Sequence, residues 1–262
     1  MTGYDKAINA LTKGDRHRVW SLIVTIFGDL AQNKGDEISA QTLGKITESF
    51  GVKAEALRVA LYRLRKDGWI DSRRKGRTSH YFLTAFGLDQ TISATPRIYG
   101  NTNPSAKKWY LVVASNESDA SKKELESLAV SGDCIALGSN TLITTGRLQD
   151  FSAHLLTSLL DDAQLPAWMK QQVIGTDLKT SYDNLFSILS EVKTFLDREF
   201  KPVERAVLRT LIVHSWRRVL LRHPDAPDSF YPDDCKAKEC RELVLDILGR
   251  LSRPQLPELS VD

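Results

Sequence analysis

Apolar residues at Val19, Leu22, Ile23, Ile26, Phe27 and Leu30 recur every three or four positions, and that stripe predicts a first helix over about residues 16–32 with Asp15 as its N-cap. Residues 37–39 are short enough for a strand at a sheet edge. Ser39 then caps a second helix holding Leu43 and Ile46, and Phe50-Gly51-Val52 turns the chain into a third. In that third helix Leu57, Ala60, Leu61 and Leu64 repeat the helical spacing and face a core, which leaves Glu55, Arg58, Tyr62 and Arg65 on other faces. Gly68 ends it. The period then falls to two, so residues 69–74 and 78–83 read as strands around a tip of Lys75, Gly76 and Arg77. Helix, strand, helix, helix, hairpin is the order of a winged helix-turn-helix.

The pattern changes after Ala94-Thr95-Pro96 and the turn-rich Gly100-Asn101-Thr102-Asn103-Pro104, which read as a linker. Residues 109–114 form a buried strand, and a capping box from Ser121 to Glu124 starts a helix with Leu125, Leu128 and Val130. Strands at 134–137 and 141–145 flank a Gly138-Ser139-Asn140 turn. Phe151, Leu155 and Leu159 predict another helix, and residues 171–174 a last strand. The order βαββαβ fits a small ferredoxin-like domain. From Asp177 the chain is helical, with Tyr182, Leu185, Leu189, Val192 and Leu196 in phase, and a second helix runs from Pro202 to about Arg222. His223-Pro224 stops it, and a loop rich in Pro and Asp leads to a last helix with Leu243, Ile247, Leu248 and Leu251. The expected architecture is α+β and multidomain: a winged helix-turn-helix at 1–95, a ferredoxin-like domain at 105–175 and a helical domain at 176–262.

Charge adds a direction. Residues 1–90 carry 15 Lys and Arg against 10 Asp and Glu, a net +5, while the whole chain of 262 residues is +3, so residues 91–262 sum to −2. The basic excess is local, as expected of one nucleic-acid face rather than a generally adhesive surface. B-DNA admits a helix into its major groove, where Arg reaches guanine or phosphate, and a Gly-tipped hairpin lays cations on the neighbouring backbone. The candidate DNA-binding residues are Lys53, Glu55, Arg58, Tyr62, Arg63 and Arg65 on the helix, and Arg73, Arg74, Lys75, Arg77 and Ser79 on the wing. A basic helix can also be only a solvated face, and winged helices also dock proteins. Packing, however, does not require four like charges at one hairpin tip.

The remaining composition excludes more than it adds. No apolar run approaches the ~18 residues that cross a bilayer, and the N-terminus lacks a secretion signal's apolar core, so a cytoplasmic protein without a membrane partner is expected. Cys134, Cys235 and Cys240 fit neither a zinc box nor a disulfide framework. No metal or cofactor is implied.

Four stretches resemble the PaaX family of bacterial repressors of phenylacetate catabolism: SLIVTIFGDL in the first helix, ALRVALYRLRKDGWI running into GRTSHYFLTAFG, RIYG at the linker, and LRTLIVHSWRRVLLRHPDAPDSFYP near the C-terminus. The resemblance implies the winged domain, a central domain like that of the small CRISPR-adaptation endonucleases, a helical domain, and a homodimer that represses a catabolic operon until an aryl- or acyl-CoA thioester releases it. Many relatives have a small polar residue in place of Lys53 and Ser in place of Tyr62, which implies a different operator.

The central domain raises a rival, a metal-dependent nuclease, since such enzymes hold the metal with a carboxylate at the end of the first strand. Here that strand runs into Ser115-Asn116, and Glu117 and Asp119 fall beyond it. For the effector, guanidinium groups at Arg217, Arg218 and Arg222, with His214 and an apolar wall from Trp109, suit CoA phosphates. The competing reading makes His214 a satisfied core histidine and has the arginines bridge carboxylates on the next helix.

Overall fold

Thr2 caps the first helix by accepting a hydrogen bond from the Asp5 backbone N–H, while the Asp5 carboxylate accepts from the Thr2 N–H at 2.8 Å. This capping box starts helix α1 (Gly3–Thr12), an element the sequence expectations do not include, which buries Ala7, Ile8 and Leu11. The computed structural model describes residues 2–13, 18–100, 107–131, 133–147, 151–160 and 165–260. The expected cap Asp15 lies outside them. Contacts divide the chain into two compact units: residues 1–100, 184–218 and 239–262 form one, and residues 101–183 and 219–238 form the other. That partition differs from the expected cuts at 95, 105–175 and 176–262, because segments of the C-terminal helices are shared between the units.

In the first unit α2 (Val19–Leu30) is buried on most sides, through Leu22, Ile23, Ile26 and Phe27, and packs against α4 (Ala54–Lys66). Between them β1 (Ile38–Ser39) leads into α3 (Ala40–Glu48), where the Ser39 hydroxyl accepts from the Thr42 N–H at 3.0 Å. Gly51 at φ 82° and Gly68 at φ 73° supply the left-handed turns before and after α4, a backbone state that costs a side chain most. β2 (Ile70–Lys75) and β3 (Thr78–Leu83) pair from Ile70↔Leu83 to Lys75↔Thr78, and β1 joins on β3, giving the antiparallel order β1-β3-β2.

The expected linker at Ala94-Thr95-Pro96 is instead the end of a helix, α5 (Ala85–Tyr99). Pro96 stands in its last turn, where the single lost N–H matters little, and Gly100 donates to the Pro96 carbonyl at 2.9 Å as the C-cap.

One buried ion pair joins these helices to the C-terminal ones. The Asp29 carboxylate of α2 is fully buried and accepts two hydrogen bonds from Arg209, at 2.7 and 2.8 Å. Arg209 belongs to α9 (Pro202–Leu220), and its remaining donors reach the carbonyls of Leu248 and Leu251 at the end of α10 (Ala237–Arg250). Tyr99 of α5 donates to the same carboxylate at 2.8 Å, and burial raises its phenol well above its ordinary pKa. Four helices therefore meet at one carboxylate.

The second unit is built on β4 (Trp109–Ala114), β5 (Cys134–Ala136), β6 (Thr141–Thr145) and β7 (Leu155–Leu160), antiparallel in the order β5-β6-β4-β7. Helix α6 (Asp119–Ser131) covers one face, packing Leu125 onto Tyr110, Val112, Ala114, Leu142 and Leu155. Two expectations fail here. Phe151, Leu155 and Leu159 do not mark a helix: residues 155–160 form β7, paired with β4 from Trp109↔Leu160 to Ala114↔Leu155. The expected strand at 171–174 is the end of a helix, α7 (Ala167–Val173), with Met169 and Val173 buried at i and i+4. The described order is thus βαβββ followed by a helix, because a ladder to β4 satisfies a whole strand backbone whereas an i, i+4 pair of leucines fits either period. Beyond it run α8 (Thr176–Lys193) and, after α9, a 3-10 turn at Asp228–Phe230 that packs Phe230 edge-on to Trp109.

Replacing Asp29 by Asn leaves the Arg209 charge buried without a carboxylate, and the expected cost is about 3–5 kcal/mol. Thermal melts should show a fall in Tm of roughly 10 °C. A Tm unchanged within 2–3 °C (about 1 kcal/mol by the same conversion) would show that the pair does not organise this unit.

Candidate nucleic-acid interface

Core packing decides what α4 can offer outward. Because Leu57, Ala60, Leu61 and Leu64 are buried, the residues at 55, 58, 59 and 62 form one exposed stripe. Two of them are apolar or aromatic: Val59 is 64% exposed and Tyr62 70%. Lys53 occupies the N-cap without a side-chain bond and is exposed beside Glu55 in the first turn. Arg58 leans weakly on the Ala54 carbonyl at 3.4 Å. Arg63 pairs with Asp67 at 3.5 Å and lies over the Trp20 ring, and Arg65 faces Asp71 at 3.6 Å. Such exposed pairs hold a side chain loosely and are worth at most ~1 kcal/mol. Sequence reasoning missed Val59; its signal was a β-branched residue off the core stripe.

The hairpin closes through Gly76 and Arg77, with Gly76 at φ 61° as a tight two-residue turn demands. Its cations do not form one cluster. Arg73 and Lys75 alternate onto one face with His80, and Arg74 with its partner Ser79 onto the other. Glu37, just before β1, is only 6% exposed and ion-pairs with Arg73 and, at 2.9 Å, with Lys75; His80 stands at 3.7 Å. Among the described residues Arg58, Arg74 and Arg77 have no carboxylate partner. The hairpin charge free to meet a polyanion is therefore concentrated at Arg74 and Arg77. Glu37 goes unnoticed in the sequence because, next to Asp36, it reads as part of a solvated turn before a two-residue strand.

The residues singled out for an effector are divided between the units. Trp109 and Arg222 belong to the second: Trp109 is 2% exposed, and Arg222 is exposed and donates to the Ser181 hydroxyl at 3.1 Å. His214, Arg217 and Arg218 belong to the first. His214 is fully buried with Nδ1 3.3 Å from the Thr25 hydroxyl, and Arg217 donates to the same hydroxyl at 3.0 Å and weakly to the Ser21 carbonyl. Arg218 is exposed. A core histidine is thus what His214 is, while Arg217 finds hydroxyl and carbonyl oxygens instead of carboxylates.

At the end of β4, Glu117 lies in the following loop and Asp119 in the first turn of α6. Among the described residues no group of three or more His, Cys, Asp or Glu is placed to hold a metal ion. Nor is any described helix long and apolar enough to cross a membrane.

Two family profiles match this chain: one described as PaaX-like protein over residues 18–87, and one described as PaaX-like protein C-terminal domain over residues 174–257. A curated relative, the transcriptional repressor PaaX of Escherichia coli strain K12, is 26% identical over 92% of this chain and 82% of its own length. Among solved structures, the uncharacterized protein Rv0674 from Mycobacterium tuberculosis matches with a TM-score of 0.50 at 19% identity, covering 88% of this chain and 94% of that one.

Because Glu37 neutralises Arg73 and Lys75, Glu37→Gln should release both toward a polyanion. The slope of log K against log salt for duplex binding should steepen by up to about two units, near 0.9 for each additional phosphate that a cation reaches. Fluorescence-anisotropy titrations at several salt concentrations measure it, and an unchanged slope would mean that neither cation reaches the backbone.

Proposed function

We propose, for a chain that belongs to the PaaX-like protein family, that it is a transcriptional repressor that binds double-stranded DNA and carries no enzymatic activity. The exposed stripe of α4 supports this reading most strongly: a packed core has no use for Val59 and Tyr62 at 64% and 70% exposure beside Arg58, whereas a major groove does. There Arg58 can take guanine N7 and O6, Val59 the methyl of thymine, and Glu55 the amino group of cytosine. In this reading α2, α3 and α4 with the β2–β3 hairpin act as a winged helix-turn-helix, α4 lying in the groove and Arg74 and Arg77 on the adjacent phosphates. The order β5-β6-β4-β7, with β4 inside, supports a ferredoxin-like reading of the second unit's sheet, with one helix fewer than the full pattern among the described residues.

The family reading extends to a homodimer on a two-fold operator, to the cytoplasm, and to a catabolic operon whose repression a small molecule lifts, an acyl- or aryl-CoA thioester being the class that the resemblance implies. Release requires only that the ligand prefer the DNA-free conformation; a hundredfold loss of operator affinity corresponds to about 2.7 kcal/mol of differential binding.

Arg58→Ala distinguishes groove reading from backbone contact. On a fragment from upstream of the protein's own gene the loss should be about 1–3 kcal/mol, and much smaller on random duplex. Equal losses on both would confine Arg58 to phosphate. Wild-type protein that binds the fragment no tighter than random duplex would contradict the repressor reading.

A further inference from the structure

A cavity in the first unit lies between α2, α5 and α9, walled by Val24, Ala94, Ile98 and Val213, with Arg217 in its lining. The chemistry of that arginine is unusual. Its Nη1 donates to the Thr25 hydroxyl and the Ser21 carbonyl, and its other two guanidinium nitrogens have no acceptor among the described residues. Tyr99, which also lines the cavity, cannot supply the missing charge: its hydroxyl proton is given to Asp29, and burial keeps the phenol neutral. Burial accordingly depresses the Arg217 pKa with no carboxylate to offset it. Two donor nitrogens of a half-buried guanidinium, without a protein acceptor and beside apolar walls, are an arrangement that an anion with a small apolar body would satisfy.

Size narrows the class. About 50 Å³ is open to the centres of water-sized molecules, and one water needs roughly 10–15 Å³ on that scale, so about four or five heavy atoms fit. The geometry points to a binding site for a short-chain monocarboxylate of two or three carbons, its carboxylate on Arg217 and its alkyl end against Val24, Ile98 and Val213. The enclosed space is too small to take a CoA thioester or an aromatic ring whole, and the proposal does not depend on the preceding reading.

The test uses the full-length protein and ¹³C-labelled propionate, titrated by NMR line broadening at constant ionic strength against chloride. Wild-type protein should bind acetate and propionate saturably, and benzoate and phosphate at least tenfold more weakly. Arg217→Met should lose more than tenfold in affinity while its melting temperature stays the same or rises, since an unsatisfied cation has been removed. Ala94→Leu, which fills the cavity and keeps the arginine, should lose binding as well. Three results would overturn the proposal: no saturable propionate binding by the wild type, propionate binding retained in either variant, or a large fall in the melting temperature of Arg217→Met, which would make Arg217 a structural residue.

Discussion

The Asp29–Arg209 pair sets the terms for the first unit. A carboxylate without solvent contact survives only if it is paired and hydrogen-bonded, and here two guanidinium donors and the Tyr99 hydroxyl meet it. Arg209 in turn spends its other donors on the Leu248 and Leu251 carbonyls, which the end of a helix leaves without partners. The partners come from α2, α5, α9 and α10, with Asp29 and Arg209 separated by 180 residues of chain. None can shift without leaving a buried charge exposed to apolar surroundings, so α2 is fixed in place and α4, packed on it, is fixed with it. One further bond repeats the tie: Trp216 donates to the Ile98 carbonyl at 3.1 Å. In the proposed groove-reading role, α4 would gain from such a rigid base.

Electrostatics then sorts the cations. Counting charges along residues 1–90 suggests a uniformly basic face, but the structure assigns several of those charges to partners: Arg63 to Asp67, Arg65 to Asp71, and Arg73 with Lys75 to Glu37. The last case differs in kind, since Glu37 is buried and its two cations are held on one face of the hairpin. Among the described residues of α4 and the hairpin, Lys53, Arg58, Lys66, Arg74 and Arg77 remain without a carboxylate. A few unpaired cations flanking Val59 and Tyr62 serve discrimination better than a dense basic patch, because phosphate attraction alone carries no sequence information.

Local patterns make the N-terminal elements legible. Ser39 marks a helix N-cap, Gly51, Gly68 and Gly76 mark a positive-φ state that few other residues tolerate, and the apolar stripes of α2 and α4 are long enough to fix their period. The exposed stripe of α4 follows from the same periodicity, and Val59 alone escapes it because β-branched residues read as core. Where the pattern is ambiguous the expectation fails. Leucine pairs at 155–156 and 159–160 fit both periods, and only the ladder to β4 decides for β7. Pro96 suggests a break, yet near a helix end it costs a single bond. Asp29 and Arg209 are invisible for a different reason. Each is one charged residue in an apolar stretch of helix, and nothing in the sequence reveals that residues 180 positions apart form a pair.

Hydrogen–deuterium exchange of the full-length protein, with and without a duplex from upstream of its gene, tests the DNA-binding role of α4 and the hairpin most directly, since it reports which surface the nucleic acid covers. Slowed exchange is predicted over residues 54–66 and around the hairpin tip at 74–79, with 134–145 unchanged. Protection confined to residues 109–160, with α4 exchanging as in the free protein, would contradict it.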